Sequence, residues 1–167
     1  NWGFDDPRHL DQYDHRNIDA VWIEYFQLVG DAADSGLFTI LGHLDLVKKF
    51  GFRPTRTLDK ELSRLVERIA GSGVLVEINT AGLHKPVAEA YPSMDILRRL
   101  SASGVPITFG SDAHQPEHVG RDFPHAVEWA LDAGFTTFAS LEQDPDGGRA
   151  HVRTQPLRIW PTGSSAP

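Results

Sequence analysis

The sequence predicts an α/β fold built on parallel strands, and three observations carry the prediction. Segments with apolar residues three and four apart alternate along the chain with short apolar runs. Those runs are continuous rather than alternating, as strands covered on both faces are. The connections between segments are only a few residues long, which suits right-handed strand–helix–strand crossovers.

The opening NWGFDDPRHLDQ mixes Trp2, Gly3, Asp5, Asp6 and Pro7, which is loop chemistry. From about Asn17 to Asp34, Ile18, Val21, Trp22, Phe26 and Val29 mark one face of an amphipathic helix, and Gly36 ends it. LFTILGHLD then predicts a short buried strand leading to His43 and Asp45. Thr57 is the expected N-cap of the helix LDKELSRLVERIAGSG, which carries Leu62, Leu65, Val66 and Ile69 on one face and Gly71 and Gly73 at its end. VLVEI is the second strand, and it runs into the polar loop NTAGLHKPV. Ser93 is placed to cap SMDILRRLSASG, and VPITFG is the third strand. A further helix is expected from about His125 to Ala133, followed by a fourth strand at FTTFAS. Beyond Glu142 the chain is rich in Asp, Gly, Pro and Ser, which predicts a loop or tail with a last strand at LRIW.

Length and composition bound the possibilities. With 167 residues, 40% hydrophobic and 23% charged, the chain suits one folded core, so residues 1–167 are read as a single domain with a loop or tail after about residue 144. No apolar run reaches membrane-spanning length and no signal-peptide pattern opens the sequence. The absence of cysteine excludes thiolate chemistry and suits a cytoplasmic protein. A formal charge of −7 argues against a nucleic-acid partner, because phosphate backbones call for clustered Lys and Arg. A small anionic substrate stays compatible where a metal or local cations reverse the field within a cleft.

Function concentrates where the strands finish. In ITFGSDAH, residues 107–114, an apolar strand stops at Gly110 and delivers Asp112 and His114. An aspartate in that position is often only a helix cap. Two other strands, however, end similarly, in ILGHLD and LVEINT. Parallel strands share one C-terminal edge, so His43, Asp45, Glu77, Asn79, Asp112 and His114 are expected to approach one another there. Imidazole and carboxylate without sulfur suit Zn, Mn or Fe(II). A purely structural polar network at the same edge is the competing reading.

The stretches GHLDLVKKFG from Gly42, EINTAGL from Glu77 with Tyr91, Pro92 and Ser93 beyond it, and GSDAH with Val119 and Gly120 beyond it resemble, in that order, the later motifs of the polymerase and histidinol phosphatase (PHP) superfamily. More narrowly they resemble the HisJ-type histidinol-phosphate phosphatases, from about Trp2 to Phe135. The resemblance implies a distorted (β/α)7 TIM-like barrel, here its C-terminal part, with up to three divalent metal ions at the C-terminal edge. It implies hydrolysis of L-histidinol phosphate in histidine biosynthesis, with a small-molecule phosphomonoester as partner and no nucleic acid or membrane. Carried over by motif, His43 is a metal ligand in the second site, Asp112 a ligand of the first ion and His114 of the third, and Asp112 and His114 are also the catalytic positions. Asp45, Glu77 and Asn79 match patterned positions as pocket groups, with Asp45 the expected acceptor for the second ring nitrogen of His43.

Two departures from the family pattern stand out. The opening D-x-H-x-H motif is absent, so the sequence reads as beginning just after the strand that would carry it. His84 stands where the family often has an arginine, whose fork clamps phosphate in a way imidazole does not reproduce. Lys85, Lys48 and Lys49 join His84 as candidates for meeting the phosphate, with a solvated helix face as the alternative for Lys48 and Lys49. Of the other histidines, His9 and His15 read as exposed, His118 as a loop residue, and His125 and His151 as helix-start and tail residues, while Trp22 and Trp129 read as core. Two other functions fit the same sequence: a PHP phosphoesterase acting on nucleotides or DNA ends, and a metal-poor barrel piece without activity.

Overall fold

The computed structural model of the chain describes residues 2–144, 146–147 and 150–158. Helix α1, Ile18–Asp34, starts where Asn17 accepts a hydrogen bond from the Ala20 N–H at 3.0 Å. Its buried residues Trp22, Phe26, Gly30 and Ala33 recur at three and four, and Trp22 also donates its indole N–H to the Phe52 carbonyl at 3.1 Å. Helix α2, Asp59–Ser72, buries Leu62, Leu65, Val66 and Ile69 and stops at Gly73, whose φ of +76° closes the helix in a left-handed conformation that glycine adopts without strain. Helix α3, Met94–Ala102, buries Ile96, Leu97 and Leu100 in the same manner.

Three strands form the parallel sheet: β1 (Ile40–Leu41), β2 (Leu75–Asn79) and β3 (Ile107–Gly110), side by side in that order. Leu41 pairs with Val76, Val76 with Ile107 and Asn79 with Gly110. Side chains alternate across a sheet, so Leu41, Val76, Ile78 and Ile107 enter the core shared with the helices, while Glu77 lies on the other face opposite Thr108. Burying one such aliphatic side chain is worth about 1.5–3 kcal/mol, which is what fixes the register: a one-residue slip would exchange the two faces. Among the described residues no helix is long and apolar enough to cross a membrane.

The structure departs from the sequence reading in several places. The opening segment is not all loop, because Pro7–His15 winds into 3-10 turns behind Asp6, which accepts from the Arg8 N–H. Leu58 rather than Thr57 occupies the N-cap of α2, without a side-chain cap; acidic Asp59 and Glu61 face the helix dipole instead. The loop after β2 contains a 3-10 turn, Thr80–His84, capped by Asn79. Helix α4 begins two residues early, at Phe123, with Pro124 in its first turn, and ends at Asp132.

The largest correction concerns the end of the chain. The fourth strand, β4 (Thr137–Gln143), does not extend the parallel ladder; it pairs antiparallel with β5 (Ala150–Pro156), seven residues each, Thr137 opposite Pro156 and Gln143 opposite Ala150. A strand therefore stands where a loop was expected, and it precedes the LRIW segment: Leu157 and Arg158 are outside any strand, and Ile159 and Trp160 lie outside the described residues. Ala139 is buried while β5 is mostly exposed, so backbone pairing rather than burial holds this strand, and apolar patterning could not reveal it. His151 accordingly sits in β5, His118 in a 3-10 turn and His125 in the first turn of α4. Trp22 is in the core, and Trp129 packs against it.

Candidate metal centre at the sheet edge

His43 follows β1 by two residues and Asp112 follows β3 by two, so the parallel pairing brings both to one edge. Both adopt left-handed backbone conformations, φ +50° at His43 and +49° at Asp112. Such a residue costs about 1–3 kcal/mol of strain and persists only where its surroundings hold it. Tyr25 on α1 supplies one hold, donating its hydroxyl to the His43 carbonyl at 2.6 Å. Burial pushes the Tyr25 hydroxyl pKa upward, so it remains a donor across the physiological range.

The two side chains meet across the edge, His43 Nε2 standing 3.6 Å from Asp112 Oδ2, each about one-third exposed. That is too long for a hydrogen bond. The separation would let both reach one ion, each about 2.0–2.2 Å from the metal, whereas the motif resemblance puts them on two neighbouring ions. His114 is exposed, and its Nδ1 lies 2.7 Å from the Asp112 carbonyl oxygen. A carbonyl only accepts, so Nδ1 carries the proton and Nε2 of the neutral ring is left with its lone pair. Among the described residues no three His, Asp or Glu side chains converge on one point. The donor set thus fits a divalent ion through the His43–Asp112 pair, with the remaining ligands to come from elsewhere.

Glu77 projects from the central strand between Gly42 and Gly110 and accepts a hydrogen bond from Asn79 Nδ2 at 2.9 Å. Asn79 is buried, and its own oxygen accepts from the Ala81 N–H at 2.9 Å. Sequence reasoning expected these two residues at the edge, and the structure has them there.

Asp45 and Lys48 have a different environment from the one expected. Both are fully buried, and Lys48 Nζ lies 2.9 Å from Asp45 Oδ2, 2.8 Å from the Ala90 carbonyl and 3.3 Å from Glu89 Oε2. Lys48 therefore has no open face for a phosphate and is not on a solvated helix surface. Asp45 accepts from the Ser93 N–H at 2.9 Å as well, so it staples the loop after β1 to the segment after β2 instead of receiving the His43 ring nitrogen. The periodicity around Lys48 gave no sign of this, because apart from Asp45 its partners Glu89 and Ala90 are 41 and 42 residues away. Lys49 is half-buried and donates to the Asp5 carbonyl at 2.6 Å.

His84 and Lys85 are exposed at the rim, with His84 Nε2 2.7 Å from Asp122 Oδ2. Arg121, which sequence reasoning passed over, lies beside them: its Nε is 3.8 Å from Asp122 Oδ2, and its carbonyl accepts from buried Thr80 at 2.7 Å. The available signal was a lone arginine in the VGRDF stretch just beyond GSDAH. Tyr91 packs its ring 5.4 Å from that of His43, and its buried hydroxyl has no hydrogen-bond partner. A cavity of about 610 Å³ lies among Phe109, Phe123 and Phe138, with Thr108, Gln155 and Arg158 also lining it; neither His43 nor Asp112 does.

Parallel strands carrying a polar, ligand-bearing C-terminal edge define the class of α/β proteins whose sites are built by the loops after the strands. No protein-family model matches the chain. It is 44% identical over 139 residues to the "Probable histidinol-phosphatase" of Deinococcus radiodurans, a match covering 81% of this chain and 52% of that protein. It is 30% identical over 121 residues to the histidinol-phosphatase of Bacillus subtilis, covering 67% of this chain and 45% of that one. The crystal structure of a protein provisionally assigned as the histidinol phosphatase hisK of Listeria monocytogenes superposes with a TM-score of 0.58 at 26% identity, over 65% of this chain and 44% of the other. The chain is a relative of the histidinol-phosphatases, the HisJ-type PHP proteins whose motifs it carries. It spans about half the length of the curated relatives it matches.

Proposed function

We propose that the chain forms the later part of a single PHP domain, a distorted (β/α)7 barrel, which hydrolyses L-histidinol phosphate to L-histidinol and phosphate. The observation that carries this reading is the His43–Asp112 pair, 3.6 Å apart on loops that follow two different parallel strands. His43, Asp112 and His114 would hold divalent ions, Zn, Mn or Fe, with His114 presenting Nε2. An ion held there would supply Lewis-acid chemistry, polarising the phosphoryl group and lowering the pKa of a water. The rim supplies the charge that meets the phosphate: Arg121 offers the planar fork that His84 lacks, and Lys85 offers a point charge. Asp122, beside both His84 and Arg121, keeps the two poised at the same mouth. The similarity to histidinol-phosphatases supports the substrate, and the acidic overall charge of −7 weighs against a nucleic-acid substrate.

The test pairs metal content with turnover. In Asp112→Ala and His43→Ala, bound metal per chain after loading with Mn, Zn or Fe(II) is expected to fall, together with phosphate release from L-histidinol phosphate. Unchanged metal and turnover in both variants would refute the assignment.

A further inference from the structure

We propose that Glu77 receives the cationic part of the substrate and so selects phosphomonoesters that carry an ammonium or imidazolium group. The proposal rests on the phosphatase reading above. Glu77 stands on the central strand, on the sheet face turned away from the helices. A glycine lies beside its carboxylate on each side, Gly42 just after β1 and Gly110 at the end of β3. A Cβ at Gly42 would lie 3.0 Å from Glu77 Oε2, and a Cβ at Gly110 would overlap the carboxylate itself. Neither glycine has a positive φ, so backbone conformation does not demand them. Room for the carboxylate does.

The carboxylate is also aimed. Asn79 donates to Oε2 at 2.9 Å, and the Ala81 N–H fixes the opposite end of the Asn79 amide, so the donor cannot be exchanged for the carbonyl without losing both bonds. The Asn79 backbone is held in turn by Tyr91, N–H to carbonyl at 2.7 Å and 2.9 Å in the two directions. No Lys, Arg or His among the described residues forms an ion pair with Glu77, although it is half-buried. Nor does it join His43 and Asp112 as a third ligand, since no such trio converges. A half-buried, oriented carboxylate with one neutral donor is electrostatically complementary to a cation that arrives with the ligand. Gly42 adjoins His43, and Gly110 precedes Asp112 by two residues, so this acceptor sits next to the pair assigned to the phosphoryl end. L-histidinol phosphate has the required chemistry, an amine a few bonds from its phosphate.

Two measurements on the chain test this. Glu77→Gln keeps the shape and an oxygen for Asn79 while removing the charge, and Gly110→Ala displaces the carboxylate without touching its chemistry. Titration with L-histidinol, which has the cation and no phosphate, is expected to show binding to the unsubstituted chain and at least about tenfold weaker binding in both variants, the scale of one charge-assisted hydrogen bond. The ratio of kcat/KM for L-histidinol phosphate over phenyl phosphate is expected to fall by a similar factor, with the loss in KM. No binding of L-histidinol to the unsubstituted chain, equal binding by Glu77→Gln, an equal loss on both phosphates, or loss of bound metal in Glu77→Gln overturns the proposal. If the unsubstituted chain hydrolyses neither phosphate, the phosphatase reading fails, and the L-histidinol titration still decides the role of Glu77.

Discussion

Replacing Lys48 by Met is expected to destabilise the chain strongly and in a pH-dependent way. Lys48 and Asp45 are both fully buried, and the ammonium serves Asp45, Glu89 and the Ala90 carbonyl together. Removing one partner of a buried pair costs about 3–5 kcal/mol, because the other charge is left without compensation. That is a large share of the roughly 5–15 kcal/mol that holds a domain folded. The Asp45 carboxyl is already pushed upward from its ordinary value by burial, with Lys48 pulling it back. A carboxyl raised in the folded state contributes its stability fully below the unfolded value, about pH 4, and loses it as pH rises through the folded value. Without Lys48 the folded value rises further, so the cost is greatest near neutrality and shrinks toward acid. Urea unfolding of both chains at neutral and mildly acidic pH measures this directly. A loss under about 1 kcal/mol, the worth of an exposed pair, or one that does not shrink in acid, refutes the account. Adding Asp45→Leu to Lys48→Met is expected to recover part of the loss, since removing both charges leaves neither orphaned.

Two further substitutions probe how the edge is held. Tyr25→Phe removes the 2.6 Å hydrogen bond to the His43 carbonyl, and it is expected to cost about 0.5–1.5 kcal/mol in urea unfolding and to lower metal content with it. Retention of both would mean the left-handed turn at His43 is held by other contacts. Gly73→Ala places a side chain at φ +76°, where nothing lies within 4 Å of the new Cβ, so its expected cost of about 1 kcal/mol is conformational alone. A neutral or stabilising result would contradict the assigned helix terminus.

The strands and helices that place the site were legible because each obeys a local rule. Trp22, Phe26 and Ala33 keep helical spacing, and Val74 to Ile78 and Val105 to Phe109 interrupt it with apolar runs short enough to be strands. The approach of His43 to Asp112 followed from parallel order alone, since strands that run the same way end at the same edge. The partnership of β4 with β5 was not legible, because β5 is exposed and carries HVRTQ with no apolar alternation. Arg121 was missed because its significance lies in being next to His84, 37 positions earlier in the chain.

The sequence by itself determined the alternation of elements, the ligand types gathered at one edge and the family the chain resembles, because periodicity and motif order are local properties of a string of residues. Only the tertiary structure decided that Lys48 is buried against Asp45 instead of facing a phosphate, that Glu77 is cradled by two glycines, and that Arg121 stands at the rim. Each of these depends on which distant backbone segments pack together. Side-chain charge and hydropathy report a residue's own preference for water and leave its long-range neighbours unspecified.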